Sequence, residues 1–497
     1  MDVIIVGSGF GGAVTAARMA QRGLRVLVLE RGPWWGPGGA GQPERDRRDF
    51  PRGALGARKH ARALRWTRGE RSGELRANVD GLWEWHRFPN ADVLTASGVG
   101  GGSLVYTSIQ EQPEAWFFEA FPPELSSEEL RPYYARVRAM LRPVTAPYRP
   151  EKEAAFAAAV AATGRGEVER TQLAVAWGPD PHLSTPHHNA AGVQQGTCVN
   201  VGECVLGCPY GAKTTLDLTY LPLAIAHGAQ VRPLCEVTAI GRAGSGYRVR
   251  YRDHRTGRRH EEAAPRLVVA AGTLNTLRLL LAARDRLGSL PALPPRLGHG
   301  FTLNGDAVAG QWRTAGLVRS DDGPTVTAVH RARDGQGRSH YVVGEAGMPV
   351  NGLPVPRWLR HRLQGSSALL AYGRERASAR VTLAGRQVTT DAARDRDPAI
   401  YAAISATMRS VTAAYRPARA LLDGTDRARG RLLSVHPLGG AAVGSTPADG
   451  VVDHTGEVFG HPGLYVADGS LYPAAPGIPP SMTIAALAER IADLATR

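Results

Sequence analysis

Lysine is almost missing from this chain. Only Lys59, Lys152 and Lys213 are lysines, so 57 of the 60 basic residues are arginines. Set against 45 acidic residues they leave a formal net charge of +15, a surplus that ordinarily points to nucleic acid or a membrane surface. Aromatic residues are also scarce, at 6%, and the arginines are spread along the whole chain. A nucleic-acid binder needs a clustered basic face with stacking aromatics, so that class is excluded. With abundant Ala, Gly and Pro, the arginine excess reads as GC-rich coding. Four cysteines are too few for a disulfide scaffold. Long apolar runs are absent: residues 267–271 and the alanine-rich 154–162 fall far short of the roughly 20 needed to span a bilayer. No basic and apolar leader precedes the strand-like residues 2–6, so the expectation is a cytoplasmic chain without a transmembrane segment. A content of 43% hydrophobic and 21% charged residues excludes disorder. At ~150 residues per domain the length corresponds to about three domain-equivalents.

The N-terminus carries the first chemical signal. Residues 3–6, Val-Ile-Ile-Val, read as a buried parallel strand and run into Gly7-Ser8-Gly9-Phe10-Gly11-Gly12, which fits G-x-G-x-x-G. A helix is predicted over 13–22, stopped by Gly23, followed by a strand over 25–29 that ends in Glu30. In such a unit Gly7 allows the tight turn, Gly9 lets a pyrophosphate approach the backbone, and Gly12 permits close helix–strand packing. The helix N-terminus offers free N–H groups to the phosphates. Glu30 can accept hydrogen bonds from a ribose diol, which favours FAD or NAD over NADP. Two distant segments add to this. Four glycines in the five positions 98–102, followed by Ser103-Leu104-Val105-Tyr106, indicate backbone packed closely against something buried. The C-terminal part carries His436-Pro437-Leu438-Gly439-Gly440, then Asp468-Gly469-Ser470, then a strong helix opened by Pro480.

With these motifs the chain resembles the glucose–methanol–choline (GMC) family of FAD-dependent oxidoreductases, in particular its cholesterol-oxidase-like branch. The resemblance covers residues 7–30, 98–105, 210–223, 270–281, 297–305 and 436–495. It implies an α/β fold in which a Rossmann-like FAD-binding domain is interleaved with an α+β substrate domain built on an antiparallel or mixed sheet. It places FAD across the first βα turn, with Glu30 at the adenosine ribose and the Val237 backbone at adenine. Gly101, Gly102, Ser103, Asp468, Gly469 and Ser481 then belong to the cofactor site. Physical chemistry agrees for the last helix: its N-terminus, at residues 480–483, suits the negative charge that reduction leaves near flavin N1 and the C2 carbonyl.

Alcohol oxidation requires removal of the hydroxyl proton as hydride leaves carbon, and a positioned base contributes roughly 10²–10⁴-fold. By residue type and by its place in the family motif, His436 is the expected base. Where the family usually places a second His or Asn, this chain has Pro479, and Tyr106 stands where the cholesterol-oxidase branch has Asn. Tyr106 is read either as a donor to substrate, a shield of the flavin, or a packing residue. Glu345 lies inside the apolar run 341–346, where a carboxylate is costly without a task or a partner. The segment resembles the one carrying the acidic group of cholesterol oxidases. Glu345 is therefore a candidate for orienting or deprotonating the substrate, with an Arg-paired structural acid as the other reading.

Cys198, Cys204 and Cys208 form a C-x5-C-x3-C pattern that leaves three readings open. It resembles the segment carrying a three-iron cluster in bacterial FAD-dependent glucose dehydrogenases, so a [3Fe-4S] cluster is one. Zinc with help from His187 or His188 is another, and reduced thiols in a loop are the third. A cluster implies onward electron transfer to an acceptor protein; without it, oxygen can reoxidise the flavin. Flavin-domain signatures assign residues 1–140, 198–305 and 431–497 to the FAD-binding domain, and leave 141–197 and 306–430 to the substrate domain. The Gly-, Pro- and Arg-rich stretch 32–71 is a candidate lid. Because 306–430 holds many Arg and few aromatics, the expected substrate is a polar small-molecule alcohol such as a sugar, an aminocyclitol or a natural-product intermediate. A sterol oxidase and a catalytically silent FAD-binding scaffold are the alternatives.

Overall fold

Strands such as Val3–Val6 and Val26–Leu29 contain no polar residue, a composition that is stable only when both faces of a sheet are covered. The computed structural model, which describes residues 1–36, 47–315, 318–353, 355–422 and 430–496, puts them at the centre of a five-stranded parallel sheet. Its order is Gln230–Arg232, Val26–Leu29, Val3–Val6, Arg266–Val269, Leu464–Val466. The first helix, Phe10–Gln21, is followed by Gly23 at φ +81°, a conformation that costs glycine little. It lies against the last helix, Ser481–Leu494. Arg18 clamps the two, donating from Nε and Nη2 to the Glu489 carboxylate at 2.7 and 2.8 Å.

The second large sheet has six strands, in the order Glu169–Arg170, Ala328–Arg333, Ser339–Ala346, Ser367–Gly373, Ala307–Trp312, Arg419–Leu422, and every pairing in it is antiparallel. Helices Glu151–Ala162 and Pro398–Ala414 pack against it. The expected fold class, a Rossmann-like parallel unit interleaved with an α+β unit on an antiparallel sheet, is the one observed. A third, mixed sheet joins them, ordered Leu432–Ser434, Ala91–Ala96, Trp83–Arg87, Ala61–Arg68, Arg71–Arg76.

Part of the stretch read as a lid, residues 37–46, lies outside the described residues. The remainder includes a helix, Gly53–His60, and a strand, Ala61–Arg68, whose alternating burial turns Arg65 inward. Frequent Gly and Arg suggest a loop by composition, but the period of two in this strand is that of a half-buried sheet. Among the described residues no helix is long and apolar enough to cross a membrane.

Side chains alternate across the six-stranded sheet, and this decides the position of Glu345. Its cross-strand partner is Leu369, a core residue with no exposed surface, so both point to the face away from Leu370 and Tyr372. There Lys152, from helix Glu151–Ala162, meets Glu345 Oε2 at 2.7 Å, both side chains being 1% exposed. Thr327 donates its N–H and its hydroxyl to Glu345 Oε1 at 2.6 and 2.8 Å. Removing one partner of a buried pair strands the other charge. Lys152→Met is therefore expected to destabilise the protein by about 3–5 kcal/mol in denaturant unfolding; a loss below about 1 kcal/mol would show that this pair does not hold the helix to the sheet.

Candidate active site

A cavity of about 520 Å³ runs from the first βα turn to the junction of the two larger sheets; Gly7, Gly9 and Glu30 line one part and Tyr372 and His436 another. Its first part is backbone packed against backbone. A Cβ on Gly7 would stand 2.3 Å from the Ala270 carbonyl oxygen, and one on Gly12 would stand 2.1 Å from that of Gly7. Gly11, outside the three positions of the motif, is tighter still: a Cβ there would lie 1.3 Å from the Ala467 carbonyl oxygen. Gly9 by contrast has no such neighbour nearer than 3.9 Å, so its backbone remains approachable. Glu30 is held by Ser8, which donates from its N–H and hydroxyl to Oε2 at 3.1 and 2.7 Å, and by the Gly32 N–H on Oε1 at 2.9 Å.

The second glycine loop is pinned to the first. Gly100 N–H donates to Ser8 Oγ at 3.2 Å, and a Cβ on Gly101 would lie 2.6 Å from Gly9 Cα. Gly102 meets nothing within 4 Å and faces the cavity. Ser103 is not at the cavity wall: its hydroxyl donates to the Gly100 carbonyl and accepts from Leu216 N–H, at 2.7 and 3.1 Å, shaping the loop from behind. Val237 is not at the wall either. It sits at the bulge of strand Cys235–Ala243, whose first N–H donates to the Glu30 carbonyl at 2.7 Å. Asp468 and Gly469 line the cavity beside the start of the last helix. Burial pushes the Asp468 carboxyl up, while hydrogen bonds from Ser470 and Thr276 oppose the shift. At that helix start Ile484 N–H closes the first turn on the Pro480 carbonyl. The N–H groups of residues 481–483 come earlier in the turn, where a helix has no internal acceptor.

At the other part of the cavity, strand Leu432–Ser434 delivers His436. Its Nδ1 lies 3.1 Å from both carboxylate oxygens of Asp306, and the Tyr372 ring meets it edge-on, centroids 5.1 Å apart. Asp306 Oδ2 also accepts from Ser434 Oγ and from the N–H groups of Val435 and His436, at 2.9, 2.9 and 3.1 Å. Burial, with the Asp306 charge, pushes the Tyr372 phenol far up, keeping it protonated. Tyr106 reaches the cavity with its ring, but its hydroxyl donates to the Thr214 carbonyl at 3.0 Å and is not free for a ligand. Pro479 lines the cavity as well, adding no polar group. Glu345 is not brought to the site; its carboxylate is engaged behind the sheet by Lys152 and Thr327.

Thiols of the cysteine loop have protein partners. Cys198 donates to Asn200 Oδ1 at 3.4 Å, Cys208 Sγ accepts from Ala212 N–H at 3.3 Å, and among the described residues no set of three His, Cys, Asp or Glu side chains can hold a metal ion. Burial pushes the Cys198 and Cys208 thiols up. Lys213 occupies the neighbourhood instead. Its ammonium donates to the carbonyls of Leu104, Tyr106 and Cys204 at 2.9, 3.0 and 2.8 Å, and burial lowers its pKa to about 8. It pins the glycine loop to the cysteine loop.

Three residues at this site escape a reading of the sequence. Asp306 follows the matched segment 297–305 directly. Tyr372 has no flanking motif. Arg31 adjoins Glu30, lines the cavity, and pairs with buried Glu84 at 2.8 Å. Arg62 and Arg65 also pair with Glu84, and although burial opposes ionisation the three guanidiniums hold this carboxyl well below its usual range.

Comparison with known proteins agrees with this geometry. Family models described as GMC oxidoreductase match residues 1–284 and 374–488. A cholesterol oxidase of Mycobacterium tuberculosis is 31% identical, over 99% of this chain and 90% of its own length. A long-chain-alcohol oxidase of Arabidopsis thaliana is 23% identical, over 97% of this chain and 66% of its own. The crystal structure of pyridoxine 4-oxidase from Mesorbium loti superposes with a TM-score of 0.63 at 18% identity, covering 99% of this chain and 98% of that one, a likeness of fold. The chain belongs to the GMC oxidoreductase family, whose members bind FAD and act on alcohol groups.

The two glycine environments give separable outcomes. Gly102→Ala adds a methyl group to open cavity space. The apoprotein is expected to keep its melting temperature while FAD affinity falls by about 5- to 100-fold, the equivalent of ~1–3 kcal/mol of overpacking. Unchanged FAD affinity in a titration of the apoprotein would remove Gly102 from the cofactor surface.

Proposed function

We propose that this GMC oxidoreductase oxidises the CH–OH group of an apolar small-molecule alcohol to an aldehyde or ketone, with His436 taking the hydroxyl proton. FAD, when bound, supplies the acceptor for the hydride that leaves the carbinol carbon. The residues fit that cofactor: Gly102 faces open space, Gly9 borders the cavity without a close neighbour, and the first and last helices both start there. In this reading Gly7, Gly9 and Gly12 shape the turn for the pyrophosphate and Glu30 takes the ribose diol. The Val237 backbone, two residues past the Cys235 N–H that bonds the Glu30 carbonyl, would meet the adenine only from behind the cavity wall. Gly101 and Gly102 give close approach, while Asp468, Gly469 and Ser481 border the flavin. The N–H groups of residues 481–483 and the helix dipole favour negative charge there.

His436 performs the proton step because its Nδ1 is engaged by Asp306, leaving Nε2 for the cavity. The substrate O–H bond breaks, an Nε2–H bond forms, and two electrons leave carbon with the hydride. Tyr106 packs through its ring, with its hydroxyl engaged elsewhere. Reoxidation by oxygen or an electron-acceptor protein completes the cycle.

The observation that carries the choice of substrate is the wall around His436. Val308 and Leu370 are cross-strand partners, Tyr372 lies on the same sheet face, and Leu433 and Val435 flank the histidine. A sugar or aminocyclitol would strip its hydroxyls of water there without replacement partners, at about 1–3 kcal/mol for each group. The polar-substrate expectation gives way to the sterol-like class, which covers apolar alcohols in general. The arginines that suggested polarity face elsewhere: Arg331 and Arg333 pair with Glu111, Glu169 and Glu114. The domain division at 1–140, 198–305 and 431–497 against 141–197 and 306–430 belongs to this proposal, as does a cytoplasmic location. The strand membership of the parallel and antiparallel sheets supports the former. Pro479 favours a second reading, a silent FAD-binding scaffold, because no second polar side chain accompanies His436 from that loop.

Anaerobic mixing with a panel of sterols, long-chain alcohols and aryl alcohols, beside sugars and aminocyclitols, tests the proposal through bleaching of the flavin. Apolar alcohols are expected to bleach it, and His436→Ala to slow bleaching roughly 10²–10⁴-fold with FAD still bound. Bleaching by polar alcohols alone would overturn the substrate class, equal rates in His436→Ala would overturn the base, and no bleaching by any alcohol would favour the scaffold.

A further inference from the structure

We infer that Asp306 is a positioning residue that fixes the tautomer of His436, keeping hydrogen on Nδ1 and a bare Nε2 toward the cavity; the catalytic weight of this rests on His436 being the base.

The geometry gives the Nδ1 hydrogen one acceptor. An ionised carboxylate only accepts, and both oxygens of Asp306 lie 3.1 Å from Nδ1. Every other group on Asp306 Oδ2 is a donor: Ser434 Oγ and the N–H groups of Val435 and His436. With three donors already on Oδ2, the ring nitrogen that faces this carboxylate is the one that donates, so in the neutral imidazole the hydrogen sits on Nδ1 and the lone pair on Nε2. When Nε2 takes a proton from an alcohol, the imidazolium gains an ion pair with Asp306, and the carboxylate itself stays unprotonated.

The pair also joins two sheets. Asp306 directly precedes strand Ala307–Trp312 of the antiparallel sheet, whereas His436 follows strand Leu432–Ser434 of the mixed sheet. The other titratable groups nearby do not compete for the ring. Tyr372, on strand Ser367–Gly373, meets the imidazole edge-on. The Glu375 carboxylate is occupied by Thr302, by the N–H groups of Leu303 and Gly305, and by the Tyr401 hydroxyl. The loop 477–480, tied to Asn304 by two hydrogen bonds, brings only Pro479 and Pro480 to the cavity.

Asp306→Asn keeps the shape but places an amide donor in the carboxylate's position, so Nδ1 must accept and the hydrogen moves to Nε2. Nitrogen-15 spectra of histidine-labelled holoenzyme, with His436 assigned through His436→Gln, read this without any substrate. The wild type is expected to show hydrogen on Nδ1, and Asp306→Asn hydrogen on Nε2. Ser434→Ala, which removes another bond to the same carboxylate, is expected to keep the Nδ1–H form, and Asp306→Glu to restore it. With an alcohol that bleaches the flavin, Asp306→Asn is expected to lower kcat roughly 10²–10⁴-fold at similar KM. An Asp306→Asn protein with the wild-type tautomer overturns the inference. A switched tautomer with an unchanged rate upholds the positioning and overturns His436 as the base.

Discussion

Close approach of backbone to backbone at the start of the first helix is the constraint on which the rest of the molecule depends. Gly7 and Gly12 admit the Ala270 carbonyl and the turn itself, Gly11 admits the Ala467 carbonyl, and Gly101 lies against Gly9. These contacts gather residues 7–12, 101, 270 and 467 within a few ångströms, and no side chain larger than hydrogen fits between them at Gly11. The parallel sheet supplies the registers that make the approach repeatable, because Val6 and Val269 are paired and Val269 is paired in turn with Val466. One cavity thus takes walls from both ends of the chain and from its middle. Gly102, which meets nothing, and Gly9, whose nearest neighbour is no closer than ordinary van der Waals contact, leave the room that a dinucleotide needs.

Charge is handled by the same economy of position. Part of the arginine excess is buried. Several guanidiniums turn inward around Glu84, where bidentate and multiple pairing makes arginine tolerable and lysine less so. Two of the three lysines are themselves buried with dedicated acceptors, Lys152 on Glu345 and Lys213 on three carbonyls. Both act as structural pins: one holds a helix to the antiparallel sheet, the other holds two loops together beneath the cavity. The cavity surface near His436 is left apolar, so the imidazole and its carboxylate act where water competes weakly.

What could be read from the sequence was whatever is local. The turn at residues 7–12, the acid at 30 and the helix that starts after Pro480 are short-range patterns with one physical meaning, and the fold class followed from them. Features set by tertiary registration were not legible. Asp306 meets His436 across 130 positions, and nothing adjacent to either residue announces the other. Glu345 was noticed as an acid in an apolar strand, but which face it occupies depends on its pairing with Leu369. Composition over 306–430 averaged two faces of one sheet, so its arginines suggested a polar chamber where the inward face carries Val308 and Leu370. The cysteine spacing matched a ligand pattern, while the buried Lys213 that shares their neighbourhood comes from outside the spacing rule.

The central claim is that one base, His436, meets an apolar alcohol at the apolar end of the cavity. A crystal structure of the FAD-loaded protein with such an alcohol bound tests it most directly. The account predicts the alcohol oxygen about 2.6–3.2 Å from His436 Nε2, with Nδ1 still on Asp306 and the carbon chain against Val308 and Leu370. An alcohol oxygen bound instead by another side chain, with His436 Nε2 turned away from it, would contradict the account.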